Sequence, residues 1–188
     1  MSETDTEAEL VARASQGDAE AFGTLVGHYQ RLLTGVAFGI VGDSAKTEDL
    51  VQEAFLSAWK ALPGYRGEAS FKNWLCRILV NKTYSSLRWG RLRQWLSLDQ
   101  HTETPWAELL EDTGSDANPE SIQLREEHSA AVRAAVAGLP LQQRTAVALR
   151  SNGLDVAEVA RSMGVAEGTV KAHLHQARAR LSSAMGEA

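Results

Sequence analysis

Cysteine is almost absent from this chain of 188 residues. Cys76 stands alone, which excludes an internal disulfide, a Cys-rich zinc ribbon and an Fe–S centre. Prolines number only four, and aromatic residues make up 6%. No apolar run approaches the roughly 20 residues that a membrane helix needs. Residues 1–9 carry Glu3, Asp5, Glu7 and Glu9 and no basic-then-apolar run, so no signal peptide is expected. No stretch alternates with period two over a useful length, so strands are not needed. There is no glycine-rich phosphate loop, and the many acids have no His or Ser beside them in a recognisable catalytic motif. The sequence reads as a soluble, cytoplasmic, non-enzymatic chain with no cofactor, no resident metal and no membrane insertion.

What is present is charge in blocks. The net charge is −5. Residues 1–64 balance to −6, residues 65–96 to +6, residues 97–137 to −7 and residues 138–188 to +2. Such alternation points to several different partner surfaces rather than one acidic body.

Apolar periodicity is helical. Leu50, Val51, Ala54, Phe55, Ala58, Trp59 and Leu62 form one stripe, with Asp43 or Ser44 able to cap its start and Pro63-Gly64 stopping it. Phe22, Leu25, Val26, Tyr29, Leu32, Leu33 and Val36 make a second stripe, begun at Asp18. Phe71, Trp74, Leu75, Ile78 and Leu79 make a third, which Ser70 can cap. From about Leu96 the pattern decays into Thr, Asp, Glu, Gly, Asn and two prolines, an acidic flexible linker by composition. Helical periodicity resumes near 121, and Leu139-Pro140 divides one helix from the next. The fold class is all-α: two small helical domains, 1–96 and 120–188, joined by the linker 97–119.

Residues 153–181 read as a helix-turn-helix. Asp155 can cap a short helix with inner face Val156, Val159, Ala160 and Met163, and Gly164 supplies the turn. Val165 plugs the core, and a second helix starts near Glu167 with Val170, Leu174, Ala177 and Leu181 on one face. Gly168, Ala172, His175 and Gln176 lie broadly opposite, with Lys171, Arg178 and Arg180 on the flanks. Short and polar groups toward base edges with cations toward phosphates suit a recognition helix. His173 and His175 point about 200° apart, so they cannot share one metal ion.

The basic block contains Lys72, Asn73, Arg77, Asn81, Lys82 and Arg88, donors for phosphates and bases beside the third stripe. Trp74 falls within the stripe and reads as core. Trp89 is the better candidate for exposure and for stacking on a base.

Four segments in this order carry a resemblance: Asp-Ala-Glu-Ala-Phe (18–22), Thr-Glu-Asp-Leu-Val-Gln-Glu-Ala-Phe-Leu-Ser-Ala-Trp-Lys (47–60), Tyr-Arg-Gly-Glu-Ala-Ser-Phe-Lys-Asn-Trp-Leu (65–75) and the helix-turn-helix. Together they resemble an extracytoplasmic-function, or group IV, sigma factor of the sigma-70 family, with domains 2 and 4 only. The resemblance implies a subunit that binds core RNA polymerase, recognises −10 and −35 promoter elements and promotes DNA melting.

Residue by residue, it implies that Asp49, Gln52, Glu53, Phe55, Ser57 and Lys60 grip the clamp helices of the largest polymerase subunit. Tyr65, Arg66, Lys72, Asn73, Arg77, Asn81, Lys82 and Arg88 then belong to the −10 surface. Gly168, Thr169, Lys171, Ala172, His173, His175, Gln176 and Arg178 belong to the −35 surface. Further implied partners are the flap of the second-largest subunit and an anti-sigma factor, and the linker would thread the polymerase near its RNA channel. Relatives often carry Ser where Ala166 stands, and Arg where His173 and Gln176 stand. Thr169-Val170-Lys171-Ala172-His173 is also similar to quorum-type activator domains. That reading requires a ligand or phosphoacceptor domain upstream with strand patterns, whereas residues 1–96 read as helices.

Overall fold

The computed structural model describes residues 6–96 and 131–186. Every regular element among them is helical. Helix α1 spans Glu7–Ser15, α2 Ala19–Val41, α3 Ser44–Ala61 and α4 Phe71–Leu96, with a short 3-10 turn Leu62–Gly64 after α3. In the second half α5 is described over 131–137. It is followed by α6 (Leu141–Ser151), α7 (Val156–Met163) and α8 (Glu167–Gly186). The acidic linker expected at 97–119, and the start of the helix expected near 121, lie outside the described residues.

The helix starts are set by side-chain caps, each satisfying amides that have no partner within the helix. Asp18 accepts from the Glu20 and Ala21 N–H groups and begins α2. Asp43 accepts from Lys46 N–H and begins α3. Ser70 Oγ accepts from Asn73 N–H at 3.3 Å and begins α4. Helix α7 opens with a reciprocal capping box between Asp155 and Glu158 and closes on Gly164, whose φ of 68° is left-handed. Ala166 precedes α8 and has no side-chain oxygen to offer, so only its carbonyl joins the first turn, accepting from Thr169 N–H and Val170 N–H.

Helices α1–α4 bury the three apolar stripes against one another. Leu25, Leu33, Val36, Ile40, Leu62, Leu75 and Leu79 are fully enclosed. Each contributes about 1.5–3 kcal/mol by leaving water. In the second half Leu149, Leu154, Val159 and Val170 do the same for α6–α8.

These two bundles also dock on each other. Helix α2 packs along α6, and α4 packs along α7. Two glycines on one face of α2 permit the approach. A Cβ on Gly35 would lie 2.1 Å from Asn152 Oδ1, and one on Gly39 would lie 2.8 Å from Ala148 Cβ. Arg144 of α6 reaches across to the Ile40 carbonyl at 3.1 Å. Lys72 of α4 and Glu158 of α7 form an ion pair at 2.5 Å. The described halves therefore sit together rather than apart.

Candidate nucleic-acid interface

Helix α3 presents the first surface. Asp49, Gln52, Glu53 and Lys60 are exposed, and Ser57 is half-buried. Phe55 is buried instead, its ring meeting Phe22 edge-on at 6.5 Å. Phe22 also packs against Trp59 at 4.9 Å. Beside these rings lies an apolar groove of about 460 Å³ lined by Ala19, Phe22, Val26, Gln52, Phe55, Leu56 and Trp59. Leu56 is 60% exposed at its edge. Sequence reasoning found the polar rim but missed Leu56, Phe22 and Val26 as surface. The signal was available, because Leu56 falls outside the Leu50–Leu62 stripe and has no apolar reason to face inward.

The second surface is the 65–70 loop with α4. Tyr65 packs against Trp74 (5.0 Å) and Phe71 (6.0 Å), and its hydroxyl donates to the Ala69 carbonyl at 2.5 Å. The loop is thus shaped by its own aromatic anchor. Burial raises the Tyr65 hydroxyl above its ordinary pKa, so it stays a neutral donor. Arg66, Arg77, Asn81 and Arg88 are exposed, and Trp89 is 58% exposed, as its place off the stripe suggests. Lys82 lies 3.7 Å from Glu53, so it faces the α3 surface as well as α4.

Two further members of this group are engaged within the protein. Lys72 is ion-paired with Glu158, and Asn73 is only 4% exposed, its Oδ1 buried without a hydrogen-bond partner. The half-buried Trp74 lies between core and surface rather than wholly inside. Cys76, one turn from Lys72, has its thiol pushed up to about 12 by burial, so it is a packed thiol and not a nucleophile.

Between this surface and the helix-turn-helix runs a cleft of about 840 Å³. Arg66, Asn73, Trp74 and Arg77 line one side, and Arg161, Gly164 and Glu167 line the other.

The third surface is α8. Val170 and Ala177 are buried against α6 and α7, while Leu174 and Leu181 are half-buried, so the stripe inferred from spacing is the packed face. Gly168, Thr169, Lys171, Ala172, His175, Gln176, Arg178 and Arg180 are exposed together. Gln176 Oε1 accepts from Gln143 Nε2 at 2.9 Å, which orients its amide. His173 differs from the others: it is half-buried, and its Nε2 is enclosed without a partner. Its ring belongs to the border of the packed face rather than to the outer one.

Among the described residues no group of three His, Cys, Asp or Glu side chains could hold a metal ion. No helix among them is long and apolar enough to cross a membrane.

Comparison with known proteins places both halves of the chain in one family. Residues 25–92 match sigma-70 region 2, and residues 129–181 match sigma-70 region 4. The RNA polymerase sigma-H factor of Pseudomonas aeruginosa is 35% identical over 183 residues, covering 94% of this chain and 92% of that one. The ECF RNA polymerase sigma-E factor of Escherichia coli K12 is 36% identical over 183 residues, covering 95% and 93%. Among solved structures, the sigma factor RpoE bound to the anti-sigma factor NepR from Bartonella quintana matches with a TM-score of 0.72 and 25% identity, covering 89% of this chain and 98% of that one. CnrH, solved with the cytosolic domain of CnrY, shares the fold at a TM-score of 0.70 and 23% identity, covering 97% and 99%.

The chain belongs to the sigma-70 family, in its extracytoplasmic-function branch. It is an RNA polymerase sigma factor, a DNA-binding protein of transcription initiation that recognises promoters.

Proposed function

We propose that the three surfaces divide the work of promoter-dependent initiation among named residues. The α3 face grips the clamp helices of the largest polymerase subunit. Its apolar groove takes side chains of that coiled coil, while Asp49, Gln52, Glu53, Ser57 and Lys60 pair with its polar edge. Phe55 acts from beneath, as the floor of the groove. The Tyr65–Ser70 loop and Arg66, Lys72, Asn73, Arg77, Asn81, Lys82 and Arg88 hold the −10 strand as it melts. Gly168, Thr169, Lys171, Ala172, His175, Gln176 and Arg178 read the −35 element in the major groove. His173 positions the helix from its border.

The second domain, 120–188, also meets the flap of the second-largest subunit, and the tether 97–119 spans the polymerase between the two domains. The chain works in the cytoplasm and carries out no catalytic step itself. An anti-sigma factor suits it as a regulator, since the RpoE relative was solved bound to one.

The observation that carries the polymerase assignment is Leu56, exposed over an apolar groove on the helix that also exposes Asp49, Gln52 and Glu53. A large apolar side chain in water beside a groove marks an interaction site. Glu53→Lys and Leu56→Glu test it. Both side chains are exposed, so the melting temperature should stay within a degree or two, while affinity for core polymerase falls about tenfold or more, or ~1.4 kcal/mol. A folded double variant that binds core as tightly as wild type contradicts the assignment.

A further inference from the structure

The cleft between the two halves gathers charged and polar groups that the fold leaves without partners. Arg66 and Arg77 line it from the first half and Arg161 from the second, against two carboxylates, Glu68 and Glu167. Among the described residues none of these five side chains is ion-paired. Arginine forks match phosphate oxygens two at a time. The start of α8 adds donors. Ala166 and Glu167 stand in the cleft wall, and among the described residues their backbone N–H groups have no acceptor. Such amides, at the positive end of a helix dipole, favour an anion.

A bare phosphate would not complete the cleft. Asn73 lines it beside Arg77, is only 4% exposed, and has its Oδ1 enclosed without a hydrogen-bond partner. That oxygen accepts and cannot donate, so it calls for an O–H or N–H group. Tyr65 and Trp74, half-buried with ring centroids 5.0 Å apart, add flat apolar surface to the same wall. The volume, about 840 Å³, is that of a small-ligand site.

We propose that this cleft is a binding site for a nucleoside diphosphate, shared by the two halves of the chain. Its phosphates lie among Arg66, Arg77, Arg161 and the start of α8. A ribose hydroxyl or a base amino group supplies the donor that Asn73 lacks, and the base lies against Tyr65 or Trp74. Both walls are needed, so the nucleotide binds the docked arrangement and stabilises it by mass action. The site does not depend on which of these residues also touch DNA.

Calorimetric titration of the full chain with ADP, and separately with pyrophosphate, tests it. A single ADP site is expected, with pyrophosphate bound about tenfold more weakly or worse, because it has neither ribose nor base. Arg161→Gln, at an exposed side chain, should weaken both probes about tenfold. Asn73→Leu removes the enclosed acceptor, so ADP should weaken about tenfold while pyrophosphate stays within about twofold. Arg178→Gln lies on exposed α8 surface outside the cleft and should leave both probes within about twofold. Arg66→Gln, also exposed, replaces either cleft variant if it does not fold, and both probes should weaken. A short randomised single strand, which carries the same phosphates and bases, is titrated alongside. Arg161→Gln should leave its affinity within about twofold.

An absence of ADP binding overturns the proposal. Equal weakening by Arg178→Gln and Arg161→Gln also does, because it marks a diffuse basic surface. Pyrophosphate bound as tightly as ADP reduces the cleft to an anion site and overturns the nucleotide. Strand affinity lost in step with ADP affinity in Arg161→Gln makes the cleft a stretch of DNA surface and overturns it too.

Discussion

Arg144 of α6 donates from Nη1 to the backbone carbonyl of Ile40, 104 residues earlier, at the C-terminal end of α2. The last carbonyls of a helix lack partners within it, and the negative end of its dipole favours a cation. Arg144 meets both needs from the other domain, and its Nη2 also donates to Leu139 O at 3.3 Å. One guanidinium thus ties the end of α2 to the start of the second domain.

Replacing Arg144 by Met keeps much of its apolar stem and removes both bonds. Hydrogen bonds to charged groups are worth about 1.5–3 kcal/mol each at most, so a loss of about 1–3 kcal/mol is expected. Urea unfolding followed by far-UV circular dichroism measures it. The scattering radius should grow at the same time, because the lost partner lies across the seam.

The −35 surface predicts two kinds of failure. Gln176 faces outward with its amide oriented by Gln143. Gln176→Ala should change the preferred −35 sequence, at about 1–3 kcal/mol for a lost base contact. Lys171→Ala should weaken all sequences alike and reduce the salt slope by about one counterion. Selection from a −35 library, repeated at several salt concentrations, separates these outcomes. If the two variants exchange behaviours, the orientation assigned to α8 is wrong.

Ala166 stands where a capping side chain would accept from the first amides of α8. Ala166→Ser should raise stability by about 1 kcal/mol. Thermal unfolding of the pair of proteins gives the answer directly.

Acid should loosen the docked arrangement. Burial alone would raise the Glu158 carboxyl, but the hydrogen bond from Lys72 and that from Asp155 N–H together hold it below the ordinary 4.5. Lys72 and the neutral Cys76 thiol face it from α4, and Asp155 from its own helix. A carboxyl with a lowered folded pKa contributes stability that is present above its ordinary value and lost as pH falls through the folded one. The scattering radius of wild type should therefore rise only below pH 4.5. Glu158→Gln should lack that part of the rise, although the capping carboxylates Asp18 and Asp43, also held low, titrate in both proteins.

Local structure was legible in the sequence wherever a cap or a stripe announced it. Asp18, Asp43, Ser70 and Asp155 all begin helices, and Gly164 makes the expected turn, because capping and left-handed backbone depend on neighbours within a few residues. The exposure of Gly168, Lys171, Ala172, His175 and Gln176 followed from period alone. Other features were not legible. Gly35 and Gly39 look like weak points of a helix until the partner helix is known. Asn73 reads as a free donor because its burial at the foot of the cleft, whose far wall comes from α7 and the turn after it, depends on residues more than 80 positions away in sequence. Leu56 was overlooked because the stripe beside it accounted for the core without it. Each of these depends on contacts between distant segments, which periodicity does not carry.

The central claim is that this chain confers promoter recognition on core polymerase through the three surfaces. Run-off transcription from a randomised promoter library, with core polymerase and the full chain, tests it most directly. The account predicts transcripts that require the chain and come from templates sharing two sequence blocks. Gln176→Ala should alter the upstream block, Asn73→Ala should impair use of the downstream one, and Glu53→Lys with Leu56→Glu should abolish the signal. Transcription no different from core polymerase alone would contradict the account.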